Sequence, residues 1–251
     1  MPTPFSHLVV AQQLFDDAQI PPMLMRLLEQ HKATFLLGNI APDARVPGAG
    51  RDATHFYRFN EVIKEHLWKR MLAAFPTLSQ PQNGQHFAFL LGYVAHLAVD
   101  EWWAVEVVHP HFARPWQGKT IRDQFIGLHL ALIYLDERDL PQIKKNTGQS
   151  LLRVEPDGWL PFMPDSVLSS WRDFVGSQLL PDGESRTMEI YGARIGLKPK
   201  EIRHILDDEA ILKTRLWDYV PKNVITTAPD GFYPFARDQL IMFYNHITTN
   251  P

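Results

Sequence analysis

FLLGYVAHLAVDEWWAVEVVHPHF, residues 89–112, decides the reading of the fold. Its apolar residues recur with helical spacing. Yet the stretch carries His96, Asp100, Glu101 and Glu106, and it ends in His109-Pro110-His111. His96 and Asp100 stand four apart, which puts both side chains on one helix face, about 6 Å apart along the axis. Gly92 and Tyr93 precede them and Trp103 and Val107 follow one turn on, so the pair sits inside an apolar seam. A buried histidine held by a carboxylate explains the pair as readily as a metal ligand does, because HxxxD is a weak signal by itself.

The same periodicity extends in both directions along the chain. Ser6 is placed to cap a helix through about Ala18, and Pro21-Pro22 opens a second near residues 23–31. Further amphipathic helices are predicted over 60–75, 85–108 and 120–139, then over 164–180, 184–195, 198–220 and 234–248. Pro164, Pro199 and Pro234 fall near three of the later starts, where proline is tolerated. Residues 41–56 are rich in Pro, Gly and Asp and form a loop long enough to suggest a functional role. Residues 141–163 read as an irregular connection. The absence of any repeat or strand series predicts an all-α, multi-helix bundle, a single domain over 1–251.

Hydrophobic residues make up 45% of the 251 and aromatic residues 12%, enough for a substantial core. The net charge of -3 shows no basic patch and gives no strong nucleic-acid signal. There is no cysteine, so a metal must take nitrogen and oxygen ligands. No apolar run reaches the roughly 18–20 residues of a spanning helix. The opening MPTPFSHLVV lacks a basic segment followed by an apolar core, and a cytoplasmic protein is expected.

Other titratable groups cluster around the same idea. His7 opens the first helix, Asp43 and His55 bracket the 41–56 loop, His109 and His111 flank the proline that ends the central helix, and His129 lies on the next. Each has an ordinary structural explanation. Together they supply imidazole and carboxylate from helix faces and loops, the donors zinc accepts when thiolates are missing. A helical bundle can converge such groups in its core.

In order, Ser6-His7-Leu8, Ala41-Pro42-Asp43, Thr54-His55-Phe56-Tyr57 and Phe89-Leu90-Leu91-Gly92 leading to His96 and Asp100 resemble the motifs of the zinc-dependent phospholipase C family. The resemblance covers about residues 5–135. It implies an all-α fold shared with single-strand nucleases, and one to three zinc ions or another divalent metal. Asp43, His55, His96 and Asp100 would form a first site, with Asp43 also a candidate base. Asp100 would bridge to a second ion held by His7, with the N-terminal amine as helper. His109 or His111 with His129 would hold a third. The metal-site core would span about 5–140, and a C-terminal helical extension about 160–251. The implied activity is hydrolysis of a phosphodiester or phospholipid-like substrate by a zinc-activated water.

The chain departs from the family four residues after His129, where Ile133 stands in place of a glutamate ligand. The third site then lacks a donor unless Asp123, Asp136 or Glu101 substitutes. Arg51, Tyr57, Arg58 and Trp103 are candidate substrate-binding residues by their position near the proposed ligands. Core packing is the commoner fate of the aromatics. The alternative to an enzyme is a zinc-stabilised, non-catalytic binding or scaffold protein. The sequence does not set an oligomeric state.

Overall fold

The computed structural model describes residues 1–59 and 61–249. Those residues contain no strand, and the fold is all-α. The first half holds α1 (Pro4–Gln13), α2 (Pro22–Gln30), α3 (Lys32–Ile40), α4 (Asp52–His55), α5 (Leu67–Ala74), α6 (Gly84–Trp103), α7 (His109–Phe112) and α8 (Ile121–Asp139). The second holds α9 (Thr147–Leu152), α10 (Asp165–Gln178), α11 (Thr187–Ile195), α12 (Pro199–Asp207), α13 (Glu209–Leu212), α14 (Lys222–Thr226) and α15 (Ala228–Thr249).

α6 is the axis of the molecule. Asn83 caps it, accepting a hydrogen bond from the His86 N–H at 2.9 Å. Apolar on nearly every face, α6 is enclosed, with α3 and α15 its most extensive neighbours. It threads two adjoining hydrophobic clusters. Phe89, Tyr93 and Leu97 join Phe35 and Trp159 in the first, while Ala98, Val99 and Trp103 join Leu130, Ile133 and Phe232 in the second. His96 and Asp100 therefore stand where the clusters meet. Elements after residue 150 are tied to those before it: Trp171 Nε1 donates to the Ile40 carbonyl at 2.7 Å, and Trp68 Nε1 to Gln239 at 2.9 Å.

Several boundaries differ from the sequence reading, each for a local reason. The first helix starts at Pro4 with Thr3 as its cap, because a proline in the first turn needs no N–H partner. Ser6 lies inside that helix and donates to Asp139 Oδ2 at 2.6 Å, and a 3-10 turn over Leu14–Asp16 follows at Gln13. The helix predicted over 60–75 begins at Leu67, where the buried Glu101 carboxylate accepts the Leu67 N–H at 3.0 Å. Its predicted first residue, Asn60, lies outside the described residues.

Pro110 does not end the central helix. A π-helical turn over Ala104–Val108 leads into α7 with the proline in its first turn, and this widened turn accommodates the missing N–H. The connection over 141–163 contains α9, and 41–56 contains a 3-10 turn and α4. The predicted helix over 198–220 breaks at Asp208, whose carboxylate caps α13 through the Ala210 and Ile211 N–H groups. α15 starts at Ala228 and keeps Pro234 in its interior, since Phe232 and Ala236 bury on the second cluster and packing outweighs the lost hydrogen bond.

Candidate metal centre

Four segments deliver five side chains to one point. α1 supplies His7, the 3-10 turn after α3 supplies Asp43, α4 supplies His55, and α6 supplies His96 and Asp100. His7, His55, His96 and Asp100 are almost wholly buried, while 20% of the Asp43 side chain reaches solvent.

The Asp100 carboxylate is the hub. Its Oδ1 lies 3.4 Å from His7 Nε2, and its Oδ2 lies 3.4 Å from both His55 Nε2 and His96 Nε2. Asp43 Oδ1 is 3.4 Å from His55 Nε2. The donor atoms of His7, Asp43 and His96 fall within 4.8 Å of one another, and so do those of His55, His96 and Asp100. A tetrahedral zinc ion with bonds of about 2.0–2.1 Å sets its ligand atoms about 3.3–3.4 Å apart. The observed nitrogen–oxygen separations equal that spacing and are longer than a good hydrogen bond.

The imidazoles are oriented from behind. His96 Nδ1 lies 2.7 Å from the Asn39 carbonyl, which only accepts, so Nδ1 carries the proton and Nε2 faces the cluster. His55 Nδ1 is fixed likewise by the Arg51 carbonyl at 3.2 Å and the Thr54 hydroxyl at 2.9 Å, with Thr54 itself donating to the Pro42 carbonyl. His7 stacks on His96 with ring centroids 3.6 Å apart. Both His7 nitrogens, Nε2 of His55 and of His96, and Asp100 Oδ1 are buried without a hydrogen-bond partner. Such atoms are costly to leave unsatisfied, and a divalent cation at the centre would satisfy all of them except His7 Nδ1, which faces away from Asp100. The donor set fits zinc.

Charge agrees with this fit. Burial, with neighbouring His96, pushes His7 down to about 4, and burial with Arg51 pushes His55 down to about 4, so both are neutral ligands at pH 7. Burial raises the carboxyl of Asp100, but His96 and Arg51 override it and hold it well below the usual range. Burial raises the carboxyl of Asp43, but the neighbouring His55, His96 and Arg51 override it and hold it low.

The guanidinium of Arg51 reaches into the cluster, 2.9 Å from Asp100 Oδ2 and 3.6 Å from Asp43 Oδ1, with 33% of its side chain exposed. Tyr57 lies beside it, buried, with its hydroxyl on the Met1 sulfur at 2.7 Å. Arg58 is exposed and pairs only with Asp52, at 3.6 Å. Trp103 is fully buried and forms part of the second hydrophobic cluster.

His109, His111 and His129 join neither trio of donors. His129 donates from Nδ1 to the Phe125 carbonyl at 2.8 Å and packs edge-on to Tyr191, with centroids 5.2 Å apart. The Met1 amine is buried where Arg51, Asp100 and Asp43 all act on it, and burial pushes it down to about 5. The carboxylates considered as replacements for the missing glutamate are engaged elsewhere. Asp123 accepts from Thr120, Asp136 from Thr3, and Glu101 from the Leu67 N–H while 2.8 Å from His66 Nδ1.

A cavity of about 660 Å³ is lined by His66, Glu101, Trp102 and Val105, among others. At 100° per residue, Glu101 and Trp102 lie 100° or more around α6 from His96 and Asp100. The cleft at the cluster itself, lined by Asp43, Arg51, Thr54 and His55, is only about 20 Å³.

The sequence reading missed Asn39, Thr54 and Tyr191. Asn39 acts through its backbone carbonyl, which carries no signal of residue type. Thr54 was visible as the neighbour of His55, but nothing in the spacing pointed to its role behind the imidazole.

The family model described as zinc dependent phospholipase C matches residues 6–150, a span that contains all five clustered side chains. No curated protein and no solved structure matches the chain significantly. With more than half of its length matched and this donor set at its centre, the chain belongs to the zinc-dependent phospholipase C family.

Proposed function

We propose that the chain is a zinc-dependent phosphodiesterase, cleaving a phospholipid-like phosphodiester at this cluster. The observation that carries the reading is the convergence of five donors at tetrahedral-zinc spacing, with solvent access through Asp43 and Arg51. When bound, zinc lowers the pKa of a coordinated water to about 7 and offsets negative charge on a phosphoryl oxygen. Asp43, His55, His96 and the Oδ2 side of Asp100 would hold one ion, and His7 with Oδ1 of Asp100 would begin a second. His96 serves one ion only, because its Nδ1 is committed to Asn39.

The remaining work belongs to the chain. Arg51 places a permanent positive charge beside the ligands with a face to solvent, suited to a phosphate oxygen. Asp43 is the ligand nearest solvent, and its depressed pKa makes it a firm anionic ligand and a weak base. The stacked His7 and His96 rings close the back of the site against water.

The test is metal content and turnover of a soluble chromogenic diester by the full chain, its Arg51→Met variant and its His96→Ala variant. One or two equivalents of zinc with turnover are expected. Arg51→Met is expected to keep its metal and raise KM, and His96→Ala to lose both metal and turnover. Tight zinc without turnover overturns the enzyme in favour of a zinc-stabilised scaffold. The fully buried Ile133 at the family's glutamate position favours that second reading.

A further inference from the structure

α8 begins with two large apolar side chains in water: Ile121 is 78% exposed and Phe125 44%. They are four apart, so they share one helix face, and Arg122 and His129 fall within about 100° of the same face. From there a line of ring contacts leads inward. Phe125 lies 4.2 Å from His129, His129 lies 5.2 Å from Tyr191, and the Arg194 guanidinium covers Tyr191 at 4.9 Å. Tyr191 is buried where the charges of Asp43 and Arg51 reach it. A line of ring contacts thus joins the exposed patch to the interior of the bundle.

Its charge is one-sided. Arg114, Arg122 and Arg194 are exposed, and Lys119 is half-buried over the Tyr219 ring. None of the four forms an ion pair among the described residues. Arg122 reaches across to α11, its terminal nitrogen 3.0 Å from where a Cβ on Gly196 would lie, so the two helices share one basic rim. The nearby carboxylate, Asp123, is taken up by Thr120 and lies 3.9 Å from Arg215. A local excess of cations around exposed apolar side chains, on a chain of net charge -3, complements an anionic lipid surface. No helix among the described residues is long and apolar enough to cross a membrane, so such attachment would be peripheral.

We propose that Ile121 and Phe125, ringed by Arg114, Lys119, Arg122 and Arg194, form the face by which the protein seats on an anionic phospholipid surface. The proposal deepens the phosphodiesterase reading and rests on it for the use of that face. The apolar pair enters the interface and the cations meet lipid phosphates, which holds the protein at the surface that carries a phospholipid-like substrate.

The experiment is flotation of the full chain with phosphatidylcholine vesicles, with and without phosphatidylserine, alongside metal content and soluble-diester turnover. The chain is expected to float with phosphatidylserine vesicles, increasingly so at low salt. Ile121→Ser with Phe125→Ser, and separately Arg122→Glu with Arg194→Glu, are each expected to weaken that binding by at least about tenfold. Both double variants are expected to keep metal and soluble-diester turnover, which shows that they are folded. A wild-type chain that stays with the soluble fraction overturns the proposal, as do variants that float like wild type. Vesicle binding without turnover overturns the enzyme reading alone, and turnover without vesicle binding overturns the docking face alone.

Discussion

Gly38 and Gly92 meet where α3 crosses α6. A Cβ on Gly92 would lie 2.1 Å from the Phe35 carbonyl oxygen and 3.0 Å from the Asn39 N–H nitrogen, and one on Gly38 would lie 3.0 Å from the Gly92 Cα. This contact lets the Asn39 carbonyl reach His96 Nδ1 at 2.7 Å one turn further along. Gly92→Ala is expected to push the helices apart, costing about 1–3 kcal/mol or more. It is also expected to weaken zinc retention, because His96 loses its orienting partner. Denaturant midpoint and metal content check the two effects, and an unchanged protein would show that the crossing does not position His96.

The donors are not equivalent. His96 belongs to both trios, His7 to one and His55 to the other. Whichever trio is filled, His96 is one of its donors, so His96→Ala should remove at least as much metal as any other single change, and His55→Ala at least one equivalent. His7→Ala should leave the ion held by His55, His96, Asp43 and Asp100 in place. Elemental analysis of protein purified without chelator reads this order directly, and equal losses in all three would mean a single shared ion.

The half of the fold that carries the metal centre was the more legible part. α6 and α8 announce themselves by periodicity and by Asn83 and Thr120 caps, and the HxxxD spacing alone brings His96 and Asp100 together. His7, Asp43 and His55 had to be joined to that pair by resemblance, since their meeting depends on long-range packing. The start of α5 was hidden because Glu101, 34 residues away, supplies its first hydrogen bond. The bend at Pro110 was misjudged because a π-turn is a backbone solution with no residue signature. Tyr191, which the charges of Asp43 and Arg51 reach, lies beyond the matched span, where no motif pointed to it.

Acid should destabilise the metal-stripped protein in a defined window. His7 and His55 sit at about 4 when folded against 6.5 when unfolded, so between those values the unfolded chain binds more protons. The contribution of these histidines is full above pH 6.5 and falls as the pH drops toward 4, on the order of 1–3 kcal/mol per histidine. Asp136 acts in the opposite sense. Burial raises it to about 6 from 3.8, so its contribution is present at low pH and is lost as pH rises from 3.8 through 6. These two histidines, with His129 at about 4 and the Met1 amine at about 5 acting in the same sense, outweigh one aspartate, and the net slope is positive with pH. Asp136→Asn removes the opposing part and should make the acid loss steeper. Melting temperatures from pH 4 to 7 in chelator test the sign, and a shallower loss in the variant would contradict it.

Ile133 lies one turn after His129, fully buried among Leu130, Trp103 and Phe232 in the second cluster. A third metal there would need a carboxylate, yet Asp123, Asp136 and Glu101 are held by Thr120, Thr3 and the start of α5. His109 and His111 do not reach the donor trios either. Ile133→Glu therefore places a charge in an apolar core with no partner, at an expected cost of about 3–5 kcal/mol. If the glutamate were the only missing donor, added zinc would raise the metal content by one equivalent and restore the melting temperature. We expect neither, because the surrounding side chains are packed as core and the remaining donors point elsewhere. A variant that regains stability on zinc addition, with one more ion bound, would show that a single side chain separates this centre from a trinuclear one.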